Sequence, residues 1–105
     1  MADARAERIA ENEGRFRAIN ERLRRELQSA GVDVGAMEIV CECGYVDCRA
    51  VVTIPAAAYR AVREHPLRFI VLPGHEIPDV ETVVEDHDPD YRVLEKPDEV
   101  ADVLE

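Results

Sequence analysis

The stretch Met37-Glu38-Ile39-Val40-Cys41-Glu42-Cys43-Gly44-Tyr45-Val46-Asp47-Cys48-Arg49-Ala50-Val51-Val52-Thr53-Ile54 decides the fold. In its first half Met37, Ile39, Cys41 and Cys43 alternate with Glu38 and Glu42, and Val40 breaks the pattern. A period of two marks a strand with one buried face. Residues 50–54 form a second, β-branched run. Between the two runs lies a loop rich in thiols. The reading is a hairpin with Cys41, Cys43 and Cys48 at its tip, and these are all the cysteines of the chain.

Upstream, Ile9, Phe16, Ile19, Leu23 and Leu27 recur at helical spacing and predict an amphipathic helix over residues 4–29, stopped by Gly31. Asn12 sits on the same stripe. The stripe either packs back on the domain or pairs with a second copy as a short coiled coil, with Asn12 setting register. Downstream, Pro55 opens a helix near residues 55–65 whose buried face is Ala58, Tyr59 and Val62. Phe69-Ile70-Val71-Leu72 reads as a central strand and Pro73-Gly74 as a turn. Residues 81–86 and 91–95 read as two strands around the turn His87-Asp88-Pro89-Asp90. A short helix then carries Val100, Val103 and Leu104. The expected class is α+β: a long N-terminal helix, then a small, mainly antiparallel sheet with one or two short helices and a zinc-stapled hairpin. The expected division is a helix over 1–30 and an acidic zinc-binding domain over 36–105.

The chain has 105 residues and a net charge of −10. Residues 1–30 carry seven Arg against six acidic groups, whereas residues 31–105 carry six basic against seventeen acidic. Such a body repels phosphate backbones and anionic membranes, and its natural complement is a basic protein surface. Arg outnumbers Lys twelve to one, which reads as genome bias. No signal-peptide pattern and no membrane-length apolar run is present, so the expected location is the cytoplasm. Thiols stay reduced there, and an odd, clustered set reads as metal-binding or redox-active before it reads as a disulfide.

Zinc favours four ligands drawn from thiolates and imidazoles. On an extended strand Cys41 and Cys43 would face one side with Cα atoms about 6.6 Å apart, close enough to converge on one ion. Gly44 would allow the positive φ of a tight thiolate turn. Cys48 returns at the start of the next strand. For the fourth ligand His75 is chosen, because it follows a strand and sits in the turn Pro73-Gly74-His75-Glu76. His65, His87, a carboxylate and water are the alternatives. Glu76 is placed to accept the imidazole N–H or to act as a base.

Asn12-Glu13, Phe16-Arg17, Asn20-Glu21, Cys41-Glu42-Cys43-Gly44, Cys48, Tyr59, Val62-Arg63, Pro66, Arg68-Phe69, Pro73-Gly74-His75-Glu76 and the strand from Tyr91 to Lys96 together resemble a group of short uncharacterised bacterial proteins. That group carries no assigned activity. The resemblance implies that the cysteines and His75 act as one unit and implies nothing about process.

Function then divides three ways. One structural Zn2+ per chain would staple an interaction or regulatory module, which acts through a protein partner or as a homodimer through the N-terminal helix. An open zinc position with Glu76 or His75 as base would make a small enzyme, although three thiolates weaken the Lewis acidity of zinc. A thiol redox switch is the third reading. Nucleic-acid binding through the Arg-bearing helix is opposed by the charge balance.

Overall fold

The computed structural model describes residues 4–31 and 35–104. The chain is α+β. Helix α1 (Ala4–Ser29) is followed by β1 (Ala36–Val40), β2 (Val51–Pro55), α2 (Ala56–Arg63), β3 (Arg68–Val71), β4 (Thr82–His87) and β5 (Tyr91–Glu95). A 3-10 turn (Asp98–Val100) runs into α3 (Ala101–Leu104). β1 and β2 pair antiparallel, with Ile39 opposite Val52, and β3, β5 and β4 form a second antiparallel sheet in that order. Phe69-Ile70-Val71 was expected at the centre of a sheet, but β5 holds the centre and β3 flanks it. The free edge of β3 is covered, because the Glu42 N–H donates to the Ile70 carbonyl at 2.8 Å and joins the two sheets.

The first strand is shorter than its alternation predicts. It ends at Val40, and residues 41–43 lie in the loop while remaining fully buried. Glu42 causes this departure. It alternates in step with the exposed Glu38, yet its own side chain is entirely buried. The carboxylate receives a fork from Arg63 at 2.7 and 3.1 Å, the Asn20 amide at 2.8 Å and the Ile70 N–H at 3.0 Å. Glu42 thus satisfies both backbone groups of Ile70, as a neighbouring strand would. A carboxylate can remain charged in a core only when its lone pairs are filled in this way.

Helix α1 docks by a polar face. Its buried residues are Ile9, Ala10, Asn12, Glu13 and Asn20, whereas Phe16, Leu23 and Leu27 are half-buried and Ile19 is 53% exposed. The apolar stripe therefore lies at the margin of the contact. The buried amides account for the shift. Asn20 Oδ1 accepts from the Val40 N–H and Asn20 Nδ2 donates to the Val40 carbonyl, both at 2.9 Å, so one side chain pairs the open edge of β1. Asn12, considered for a seam between two copies, donates instead to the Cys43 carbonyl at 3.1 Å. Arg17 lies over the Phe69 ring, 4.7 Å from its centroid, and donates to the carbonyl of Leu104. Pro55 is the last residue of β2 and the N-cap of α2, one position before the helix it was expected to begin.

The single lysine also has a structural explanation. Lys96 is buried with its Nζ 2.9 Å from Glu13 and 3.2 Å from Glu81. A compact ammonium fits between two carboxyls where a planar guanidinium would not. Burial, and then the neighbouring Glu81, push the Glu13 carboxyl up from 4.5 to about 9, against the pull of Lys96. Protonated, Glu13 becomes a donor to Glu81, which gives its buried oxygens a partner. The native state thus keeps a proton that the unfolded chain releases above about pH 4.5. Stability from this group is complete below that pH and is lost as pH rises toward 9, with a slope of at most about 1.4 kcal/mol per pH unit. Glu13→Gln should flatten this part of the profile. Urea unfolding of both proteins from about pH 5 to about pH 9 measures it, and parallel profiles would show that Glu13 titrates normally.

Candidate metal centre

The thiol loop is built by backbone bonds that begin where β1 ends. The Cys41 N–H donates to the Ala50 carbonyl at 3.0 Å, which is the last rung between the hairpin arms. The chain then swings toward β3 through Glu42. A turn closed by the Cys48 N–H on the Tyr45 carbonyl, at 3.0 Å, brings Cys48 back over Cys41. Asn12 of α1 holds the middle of the loop by its bond to Cys43.

Gly44 is required, but not for the reason the sequence suggested. Positive φ occurs only at Gly31 and Gly74 among the described residues. At Gly44 the constraint is space: a Cβ would lie 2.5 Å from Ile9 Cγ2 and 3.0 Å from Ile77 Cδ1. Ile9 is β-branched and held in the helix, so it yields poorly. Gly44→Ala should cost about 1–3 kcal/mol by forcing α1 and the loop apart. A thermal melt reads this as a fall of several degrees, and an unchanged midpoint would mean that Ile9 moves aside freely.

His75 arrives from the other sheet. After β3 the chain turns at Gly74, whose φ of 95° needs glycine. The His75 N–H donates to the Leu72 carbonyl at 3.0 Å, and the Leu72 N–H donates to Cys41 Sγ at 3.3 Å. Leu72 is the pivot of the centre, since the backbone groups of this one residue hold both the His75 backbone and the Cys41 sulfur. Glu76 does not accept from the imidazole as expected. It takes the Gly74 N–H at 2.9 Å and an Arg92 guanidinium nitrogen at 2.6 Å, so it braces the turn. Burial opposes ionisation of Glu76, but these donors outweigh it and hold its carboxyl below the usual range.

The donor atoms of Cys41, Cys43, Cys48 and His75 all lie within 4.8 Å of one another. His75 Nδ1 is 3.6 Å from the sulfurs of both Cys41 and Cys48. Cys41 and Cys43 are buried, and Cys48 and His75 are half-buried. The group can hold a metal ion. The two other histidines lie apart from it: His65 is exposed at the end of α2, and His87 pairs with Glu85 at 3.0 Å and stacks on Tyr91.

The thiols do not behave alike. Hydrogen bonding from Cys41, with further help from His75 and the Tyr45 N–H, lowers Cys43 to about 5. The hydrogen bond to Cys43, together with burial, raises Cys41, and burial raises Cys48. The cluster therefore stabilises one thiolate by donation from its neighbours. A dication would allow all three sulfurs to ionise.

Sequence reasoning found the four clustered side chains and missed their supports. Leu72, Asn12 and Arg92 act through contacts that no local pattern encodes. No family model, no curated protein and no solved structure matches the chain. The functional reading therefore rests on the geometry alone.

Proposed function

We propose that Cys41, Cys43, Cys48 and His75 bind one Zn2+ as a structural clasp, and that the protein is a small interaction or regulatory module acting through protein contacts. One observation carries the reading: His75 Nδ1 stands 3.6 Å from two of the sulfurs. With Zn–S near about 2.3 Å and Zn–N near about 2.0 Å, a tetrahedral ion places sulfur and nitrogen about 3.5 Å apart. Four protein donors fill the tetrahedron. No position remains for water or substrate, which is the mark of a structural rather than a catalytic site.

The zinc would join the hairpin loop to the end of β3. Two of its ligands, Cys41 and Cys43, belong to the main core cluster, so the clasp would be continuous with the core. The lowered pKa of Cys43 favours a thiol switch as the second reading, but its complete burial keeps oxidants away. Support for protein contacts comes from the exposed acidic turn around Asp88 and Asp90, which suits a basic surface.

Metal analysis of protein purified under reducing conditions tests the clasp. About one zinc-equivalent per chain is expected. Less than about one per two chains sinks the proposal. Complete chelation should also lower the melting temperature, and an unchanged melt after metal removal would refute the structural role.

A further inference from the structure

Beside the thiol loop, α1 and residues 44–46 enclose an open groove of about 490 Å³. Arg5, Arg8, Asn12 and Arg15 line its helix wall, and Tyr45 and Val46 line its loop wall. Glu11 is the single carboxylate on its lining. The local charge is thus positive in a chain of net charge −10. Arg5 pairs with Asp79, whereas Arg8 and Arg15 make no ion pair among the described residues. Arg63, Arg68 and Arg92 are committed to carboxylates, whereas Arg17 serves backbone carbonyls across the fold. Tyr45 and Val46 are 49% and 65% exposed, which leaves an aromatic and an aliphatic surface facing the guanidinium row.

We propose that this groove binds a small organic anion, with its phosphate or carboxylate held by Arg8 and Arg15 and an aromatic body against Tyr45 and Val46. The volume falls within the range of ligand pockets, roughly 300–1,000 Å³. Guanidinium forks suit both oxyanions. Charge decides between a small ligand and an acidic macromolecule. A large polyanion would meet the whole acidic body as it approached, whereas a small anion within the groove sees chiefly the arginines inside a Debye length of about 8–10 Å. The proposal goes beyond the metal reading. The cationic wall belongs to α1 and does not depend on which ion, if any, the thiols hold.

Titration of the ¹⁵N-labelled full chain as purified, followed by NMR, tests the proposal with four probes. Adenosine 5′-monophosphate and phenylacetate each combine an anion with a ring. Inorganic phosphate and adenosine supply the two halves of the first separately. At least one combined probe is expected to shift the amides of residues 8–15 and 44–46, and to bind about fivefold or more tighter than either half-probe. The better combined probe identifies the oxyanion. Arg8→Ala together with Arg15→Ala should weaken binding about tenfold and leave the melting temperature unchanged, because both positions are exposed on a helix that alanine favours. Raising the salt from about 0.05 M to about 0.3 M should also weaken it. Absence of localised shifts with all four probes would overturn the proposal, and so would binding unaffected by the double substitution.

Discussion

Glu42→Ala is expected to lower the melting temperature by roughly 12 °C or more. Its carboxylate is fully buried and serves Arg63, Asn20 and Ile70 together. Removing one partner of a buried ion pair costs about 3–5 kcal/mol, because the other charge is stranded. In a domain of this size each kcal/mol moves the midpoint by about 4–8 °C. The stranded group here is Arg63, whose side chain is only 9% exposed. A companion variant separates charge stranding from lost packing. Glu42→Ala with Arg63→Met removes both charges and should recover part of the loss, since replacing a whole buried pair by apolar groups is often tolerated. A double variant no more stable than Glu42→Ala would assign the effect to the bonds with Asn20 and Ile70. A midpoint within about 2 °C of wild type for Glu42→Ala alone would mean that water replaces the carboxylate without penalty.

Cys43→Ser is expected to abolish metal binding and, on the structural reading, cooperative folding with it. Structural zinc contributes about 10–16 kcal/mol of apparent binding free energy at neutral pH, as much as or more than the whole stability of a small domain, about 5–15 kcal/mol. Cys43 is completely buried and its carbonyl anchors Asn12 of α1, so damage there reaches the helix. His75→Ala gives a graded comparison. It leaves three thiolates and the core thiols in place, so it should weaken metal binding and lower the melting temperature by less than Cys43→Ser. The pair also discriminates between readings. Under a thiol switch His75→Ala would cost the reduced protein only the imidazole's contacts with the sulfurs and chelation would change neither melt, whereas under a clasp chelation would bring the wild type down toward the variant. Metal content and circular dichroism melts of the two variants, measured side by side, provide the check.

The helical span of α1 and the chemistry of the thiol cluster were both legible in the sequence, because each is a local signal. A period near 3.6 marks a helix wherever it packs, and three cysteines within eight residues announce themselves. The face that α1 buries was not legible. Hydropathy ranks Ile19 above Asn20, yet Ile19 is exposed and Asn20 is 1% exposed. Asn20 completes the hydrogen bonding of a strand edge, and that edge exists only in the folded chain. The burial of Glu42 was hidden for the same reason. It alternates in step with the exposed Glu38, but its partners come from α1, α2 and β3. Lys96 carried a usable signal. One lysine among twelve arginines marks a position where a point charge is needed, and the structure places it between Glu13 and Glu81.

The partners of the covered side of α1 lie far along the chain, which bears on the order of folding during synthesis. The ribosome releases α1 early, with Asn12, Glu13 and Asn20 along the side that will be covered. The groups they meet come later: Val40 first, then Cys43, and Lys96 after the strands of both sheets. The covered side of α1 therefore finds its polar partners only when both sheets are in place, so its docking follows sheet formation and does not guide it.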